Sequence, residues 1–439
     1  MLISKKTGPL KGSISVPGDK SISHRSLMLG SLAVGRSTAK GLLEGEDVLA
    51  TADALRKMGA AISRTNDGVW IIDGVGLGGL AEPTSVLDMG NSGTSTRLLA
   101  GLIAAHPIRA TLSGDASLSG RPMGRVTKPL TAMGASFAAR DDKYLPMTIT
   151  GSNSLLPIDY LSPVASAQVK SAILLAGLNT AGKTTVRESI ATRDHTERML
   201  SAMGADIETI HTDDGGRSIT LTGRPHLKPV DVIVPGDISS AAFLLVAASI
   251  TPGSDLTISG VGMNPLRTGI IYALRSMQAD ITIGSERIEG GEPVADITVK
   301  YTQLQATDDI GVDPSTMIDE FPALFVAAAS AKGTSCFTGL EELRVKESDR
   351  LAAMAAALSG NGVAIKELED GLEITGGVVK GGGMVTTYLD HRIAMAGSLL
   401  GLIADTSVRV DSVEPIKTSF PGYIELMNSI GSDMQSLSL

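Results

Sequence analysis

A six-residue phrase, Leu-x-x-Met-Gly-Ala, returns six times and constrains the fold of this chain more than any other feature. It is clear at Leu55–Ala60, Leu130–Ala135 and Leu200–Ala205, and looser at Leu274–Ala279, Leu358–Val363 and Leu426–Gly431. The copies start 75, 70, 74, 84 and 68 residues apart. Apolar residues ahead of each copy keep to one helical face, as do Val48, Ala52, Leu55 and Met58, or Met123, Val126, Leu130 and Met133. In most copies a glycine then suits the left-handed residue that closes a helix. Alternating runs such as Ala61-Ile62-Ser63 and Asp280-Ile281-Thr282-Ile283 often follow and predict strands. A period of this length signals a repeated supersecondary unit of roughly 70 residues.

A second helix recurs at the same period, beginning near Ser21, Thr94, Ser166, Ser239, Asp319 and Asp390. These segments are apolar around most of their circumference, which predicts burial. Aromatic residues make up only 3% of the chain, so Ala, Leu, Ile, Val and Met must fill the core, and 50 glycines supply turns and helix ends. The buried helices are too short and too polar at their starts to span a membrane, and no run of about 18 uncharged apolar residues occurs. The segment Met1–Gly12 carries three lysines and no apolar stretch behind them, so neither a secretory nor a transit signal is expected, and a cytoplasmic location is. Cys336 is the only cysteine, which excludes an intramolecular disulfide framework and a multi-cysteine metal site. It lies in the strand-like run Thr334–Thr338 and reads as a buried small apolar residue. A net charge of −9 argues against general nucleic-acid binding but not against small anions.

The copies divide three and three. Val16-Pro17-Gly18-Asp19-Lys20-Ser21 is echoed by Val234-Pro235-Gly236-Asp237-Ile238-Ser239, and each Pro-Gly is a turn where the chain can cross between halves. One domain is therefore expected over 17–234, and a second over 1–16 plus 235–439.

The helix starts carry the chemical signal. A helix N-terminus bears partial positive charge and unpaired N–H groups, so acids are favoured there. This chain places cations there instead: Lys20, Arg25, Arg97, Arg121, Arg125, Arg193, Lys346, Arg350 and Arg392. Cations gathered in this way suit a shared anion. The turn Asn91–Arg97, with Gly93 inside it, resembles phosphate- or carboxylate-cradling turns. Ser166-Ala167-Gln168 is either a simple cap or a hydroxyl and amide offered to a ligand, and Asp319 is either a cap or a general base. In Leu343–Arg350, Lys346 and Arg350 stand four apart and are expected on one helical face with Glu347 beside them. That segment is either a salt-bridged surface helix or part of the site. No residue set has metal-ligand spacing, and no Gly-x-Ser-x-Gly elbow occurs.

Five motifs, Pro17–Arg25, Gly90–Thr94, Arg121-Pro122-Met123, Leu343–Arg350 and Asp390-His391-Arg392, together resemble the 5-enolpyruvylshikimate-3-phosphate synthase family, in order and over nearly the whole chain. The resemblance implies an α/β (α+β) fold of two similar domains. Each is built of three βαβαββ repeats with buried parallel helices, an inside-out α/β barrel whose helix N-termini face the interdomain cleft. It implies transfer of the enolpyruvyl group of phosphoenolpyruvate to the 5-hydroxyl of 3-phosphoshikimate, releasing phosphate, in the shikimate pathway to aromatic amino acids. No cofactor or metal is implied. The implied partners are the two anionic small molecules, for a monomer with no nucleic acid or membrane.

Carried over motif by motif, Lys20, Ser21, Arg25, Ser166, Ala167, Gln168 and Arg193 correspond to ligands of 3-phosphoshikimate, with Asp319 and Lys346 at its hydroxyl. Lys20, Gly93, Arg121, Gln168, Arg350, Arg392 and Lys417 correspond to ligands of phosphoenolpyruvate. Asp319, Lys346, Glu347 and Lys20 correspond to the catalytic set. Arginines suit both the phosphate and the carboxylate that each substrate carries. The run Lys417-Thr418-Ser419-Phe420-Pro421 is one residue longer than the Lys-Thr-Phe-Pro of many family members, and Glu342 stands where many carry Asn. Gly93, rather than alanine, implies sensitivity to the herbicide glyphosate. Two rival readings are a UDP-N-acetylglucosamine enolpyruvyl transferase and a non-catalytic anion-binding repeat scaffold. The first lacks its usual mobile-loop cysteine here, and the second leaves Asp319, Lys346 and Glu347 unexplained.

Overall fold

The computed structural model describes residues 1–213 and 215–437. The chain forms two compact units, one of Gly18–Val234 and one of Met1–Pro17 with Pro235–Leu439.

The unit Gly18–Val234 holds three four-stranded sheets of one design. Their strand orders are Asp231–Ile233, Val34–Lys40, Trp70–Val75, Ala61–Arg64; then Leu87–Asp88, Arg109–Ser113, Tyr144–Thr150, Ser136–Arg140; then Asp159–Leu161, Lys183–Glu188, Arg217–Thr222, Ile207–His211. In each the first pair is parallel and the other two are antiparallel. Each parallel pair is bridged by a buried helix, except that Asp231–Ile233 comes from the end of the unit and completes the first sheet.

The other unit repeats the design. Lys11–Ser15 runs parallel to Asp255–Gly262, and Leu2–Lys5 lies between Val408–Val410 and Asp433–Ser436, so two N-terminal strands complete two different sheets. The middle sheet, Thr334–Phe337, Leu372–Thr375 and Ala364–Glu367, has three strands, with a parallel bridge between Gln305 and Lys332 near its start. Threonines face one another across strands in four of the six sheets, Thr111–Thr148, Thr185–Thr220, Thr257–Thr298 and Thr334–Thr375, with hydroxyl oxygens 2.9–3.0 Å apart. Such cross-strand pairs help fix register.

The six repeated phrases end the helices Glu46–Lys57, Gly124–Met133, His195–Ala202, Gly269–Ser276, Arg350–Gly360 and Tyr423–Ser429. In all six the next turn carries a left-handed residue: Gly59, Gly134, Gly204, Gln278, Gly362 and Gly431. Gln278, at φ 66°, takes that conformation without glycine's freedom. The second helix of each repeat is Lys20–Leu32, Gly93–Ala104, Ala167–Leu178, Ile238–Ile250, Phe321–Ser330 or His391–Ile403. They form the cores of the two units, and every residue of Ile238–Ile250 is buried. Small residues let them approach closely: a Cβ on Gly101 would lie 2.1 Å from the Ala172 carbonyl oxygen of the neighbouring helix. No helix among the described residues is long and apolar enough to cross a membrane.

Candidate active site

In the unit Gly18–Val234, the starts of the buried helices are tied to one another. Asp19 caps the helix Lys20–Leu32 by accepting from the Ile22 N–H at 2.9 Å. Lys20 Nζ lies 2.5 Å from Asp47 Oδ2, at the start of the next helix. Arg25 is buried; its guanidinium donates to the Ser21 carbonyl at 3.0 Å and to the hydroxyls of Ser171 and Thr196 at 2.7 Å each. It therefore joins three helices. Ser92 caps Gly93–Ala104 through the Ser95 N–H, and Ser166 caps Ala167–Leu178 through the Val169 N–H. Gln168 links these two helices, accepting from Arg97 Nη1 at 2.9 Å and donating to Thr94 Oγ1 at 3.0 Å. Arg121 donates to Asn91 Oδ1 at 2.6 Å and Ser117 Oγ at 3.0 Å. Gly93 sits between two guanidinium groups: a Cβ there would lie 2.7 Å from Arg97 Nη1 and 3.4 Å from Arg121 Nη1. Ser21, Ser166, Ala167 and Arg193 are half-buried, and Arg193 lies in the link before the helix His195–Ala202. Arg125 is exposed.

His24 stands behind these helix starts, its Nδ1 2.8 Å from Thr51 Oγ1, which is 2.7 Å from Ser95 Oγ. Burial, followed by the charges of Lys20 and Arg25, pushes the His24 imidazole well below its ordinary value of 6.5, so it is neutral near pH 7.

In the other unit, Asp319 gathers the cations. Its Oδ1 is 3.2 Å from Arg350 Nη1 and 3.7 Å from Lys346 Nζ, and its Oδ2 is 4.0 Å from Arg392 Nη2. Arg392 Nη1 also donates to the Asp319 carbonyl at 2.8 Å and lies 3.7 Å from Glu320 Oε1. Lys346 Nζ is 3.8 Å from Glu342 Oε1, which places that acid beside the lysine. Arg350 is almost wholly buried and anchored from three directions: Glu347 at 2.5 Å, Asp319, and Asp390 Oδ2 at 2.8 Å from its Nε. Asp390, fully buried, also caps the helix His391–Ile403 by accepting from the Arg392 N–H at 2.9 Å, and takes a bond from Ser348 Oγ at 3.0 Å. Burial pushes the Asp390 carboxyl up, but the charges of Arg350 and His391 and the hydrogen bond from Arg350 together outweigh it and hold the group below the usual carboxylate range. Burial likewise lowers Arg350, and the charges of Asp390, Glu347 and Asp319 more than reverse this, holding it above its ordinary value.

The structure thus brings Asp319, Lys346, Glu347, Arg350 and Arg392 together in this unit. It corrects two expectations. Lys346 and Arg350 do not share a helical face: Lys346 ends the short 3-10 turn Glu341–Val345, and the helix begins only at Arg350. Asp349 caps that helix, so the chain breaks between the two cations, which meet at Asp319 instead. Cys336 is not buried; in the strand Thr334–Phe337 it is Ser335 that points inward, and Cys336 lies half-exposed on the opposite face. Lys417 is exposed, its ammonium 2.8 Å from Glu414 within the 3-10 turn Glu414–Thr418. Pattern reasoning passed over Asp47 and Lys170, and it marked Asp390 and Glu320 only as acids at helix starts, without their partners Arg350 and Arg392. Asp47 and Lys170 carry no local signal.

Paired three-repeat α/β units with cations at buried helix starts define a protein of the enolpyruvyl transferase fold. A solved enolpyruvyl transferase, NikO from Streptomyces tendae, shares that fold over 100% of this chain and 99% of its own, with a TM-score of 0.79 at 16% identity. Residues 4–427 match EPSP synthase (3-phosphoshikimate 1-carboxyvinyltransferase), and the chain belongs to that family. Among its relatives, the 3-phosphoshikimate 1-carboxyvinyltransferase of Zymomonas mobilis subsp. mobilis is 55% identical, covering 99% of this chain and 97% of its own. That of Sphingopyxis alaskensis is 57% identical, covering 95% and 96%. The solved EPSP synthase from Acinetobacter baumannii is 45% identical with a TM-score of 0.86, over 99% of each chain.

Proposed function

We infer that the protein transfers the enolpyruvyl group of phosphoenolpyruvate to the 5-hydroxyl of 3-phosphoshikimate, giving 5-enolpyruvylshikimate 3-phosphate and phosphate in the shikimate pathway. Family membership over residues 4–427 supports the reaction. The observation that carries the mechanism is the Asp319 carboxylate set among Lys346, Arg350 and Arg392.

The chemistry needs two proton movements. The 5-hydroxyl loses its proton as its oxygen bonds to C2 of phosphoenolpyruvate, while C3 gains one and becomes a methyl group. The tetrahedral adduct then breaks its C2–O bond to phosphate, and C3 returns a proton. Asp319, whose Oδ1 lies 3.7 Å from Lys346 Nζ, accepts the hydroxyl proton, and Lys346 with Glu347 serves C3. Lys20 stabilises the charge that develops on the departing phosphate. The phosphate and carboxylate of phosphoenolpyruvate are held by Lys20, Arg121, Gln168, Arg350, Arg392 and Lys417, close to Gly93, whose missing Cβ lets the Arg97 and Arg121 guanidinium groups approach. Ser21, Arg25, Ser166, Ala167, Gln168 and Arg193 hold 3-phosphoshikimate. Glyphosate competes at the phosphoenolpyruvate ligands. The enzyme acts as a cytoplasmic monomer.

The test is phosphate release from phosphoenolpyruvate. Release that requires 3-phosphoshikimate supports the reading. Release with UDP-N-acetylglucosamine in its place, or none with either acceptor, overturns it.

A further inference from the structure

Lys170 has no part in the chemistry above, yet its ammonium is fully buried. It lies on the helix Ala167–Leu178, two residues beyond Gln168. Its Nζ is 2.9 Å from Glu188 Oε2, 2.8 Å from Glu197 Oε1 and 3.2 Å from the Thr192 carbonyl. These partners come from three pieces of chain: Glu188 ends the strand Lys183–Glu188, Thr192 lies in the link that follows, and Glu197 sits in the first turn of the helix His195–Ala202. Thr192 has all its polar groups committed to this cluster. Its hydroxyl donates to Glu188 Oε1, its N–H donates to Glu188 Oε2 at 3.4 Å, and its carbonyl accepts from Lys170. The next residue is Arg193.

We propose that Lys170 is a positioning residue for 3-phosphoshikimate. It fixes the Arg193 backbone relative to the Ser166–Gln168 helix start, so that both grip one ligand together. The proposal rests on the function inferred above. A buried cluster of one cation and two carboxylates is a poor source of fold stability, because desolvation offsets most of the attraction. Its directional bonds instead hold three chain segments in one geometry, and a small misplacement of a binding group is enough to weaken a substrate's hold.

The experiment measures KM for each substrate in Lys170→Met and Thr192→Val, each alone and combined with Arg193→Ala. Thr192→Val keeps all three charges and removes only the hydroxyl's bond to Glu188, so it carries the test should Lys170→Met fail to fold. Lys170→Met raises KM for 3-phosphoshikimate by about tenfold, and Thr192→Val raises it by less. KM for phosphoenolpyruvate changes by less than about twofold in both. Neither change adds to the effect of Arg193→Ala, because both act through that residue. Full additivity with Arg193→Ala, equal rises for both substrates, or an unchanged KM in folded variants would overturn the proposal. Failure of the functional reading appears separately, as wild-type protein that releases no phosphate with 3-phosphoshikimate present.

Discussion

Asp390→Asn isolates one charge in the most buried ion pair of the candidate site. Arg350 Nε and Nη2 face the two Asp390 oxygens at 2.8 and 3.4 Å, with both side chains at most 1% exposed. Breaking a buried pair costs about 3–5 kcal/mol, because the remaining charge stays desolvated. Glu347 and Asp319 still face Arg350, so the lower end, about 3 kcal/mol, is expected. Asparagine retains an oxygen to accept the Arg392 N–H, whereas Asp390→Ala also removes this cap and costs about 1 kcal/mol more. Urea unfolding followed by far-ultraviolet circular dichroism measures both. The pH dependence follows from the sign of the shift. Asp390 is held below its ordinary 3.8, so its contribution is fully present above that value and is lost as pH falls through the lower folded value. The difference between wild type and Asp390→Asn should shrink as pH falls below about 4. A loss under about 1 kcal/mol, or a difference that does not shrink below about pH 4, would overturn this account of the pair.

Other predictions concern both units. Asp319→Asn and Lys346→Met should each lower kcat by about 10²–10⁴-fold with much smaller changes in KM, measured by steady-state phosphate release. Gly93→Ala should raise KM for phosphoenolpyruvate and weaken glyphosate inhibition while barely altering Tm, because its Cβ meets the movable end of Arg97 at 2.7 Å. His24 is neutral when folded and takes a proton near pH 6.5 when unfolded, so its contribution is present above 6.5 and lost as pH falls. His24→Gln should therefore remove up to about 1.4 kcal/mol per pH unit from the decline in stability between pH 6.5 and 5, measured as unfolding free energy against pH.

The repeat was legible because helix closure is local chemistry: an apolar face, then a residue that turns left-handed. That logic located even the helix closed by Gln278, where the glycine is missing. The cations were legible because they defy the usual charge preference at helix starts. Pairings across long sequence separations were not. Nothing near Arg350 announces Asp390 forty residues on, and nothing near Lys170 announces both of its glutamates. Cys336 shows how narrow the margin is within strands, since a shift of one residue exchanges the inward and outward faces. The spacing of Lys346 and Arg350 matched a helix, but Asp349 caps that helix one residue before Arg350. The convergence of both cations on Asp319 is tertiary and has no sequence signature.

In the proposed mechanism Lys346 and Glu347 move a proton onto and off C3 of phosphoenolpyruvate while Asp319 accepts the hydroxyl proton. The most direct measurement is the reaction run in heavy water with 3-phosphoshikimate, the product examined by proton NMR and mass spectrometry. Addition followed by elimination makes C3 a transient methyl group, so wild-type protein should give product with deuterium in its vinyl methylene, and Lys346→Met should make little of it. Product formed at the full rate without deuterium would mean that C3 is never protonated from exchangeable groups, and would contradict the account.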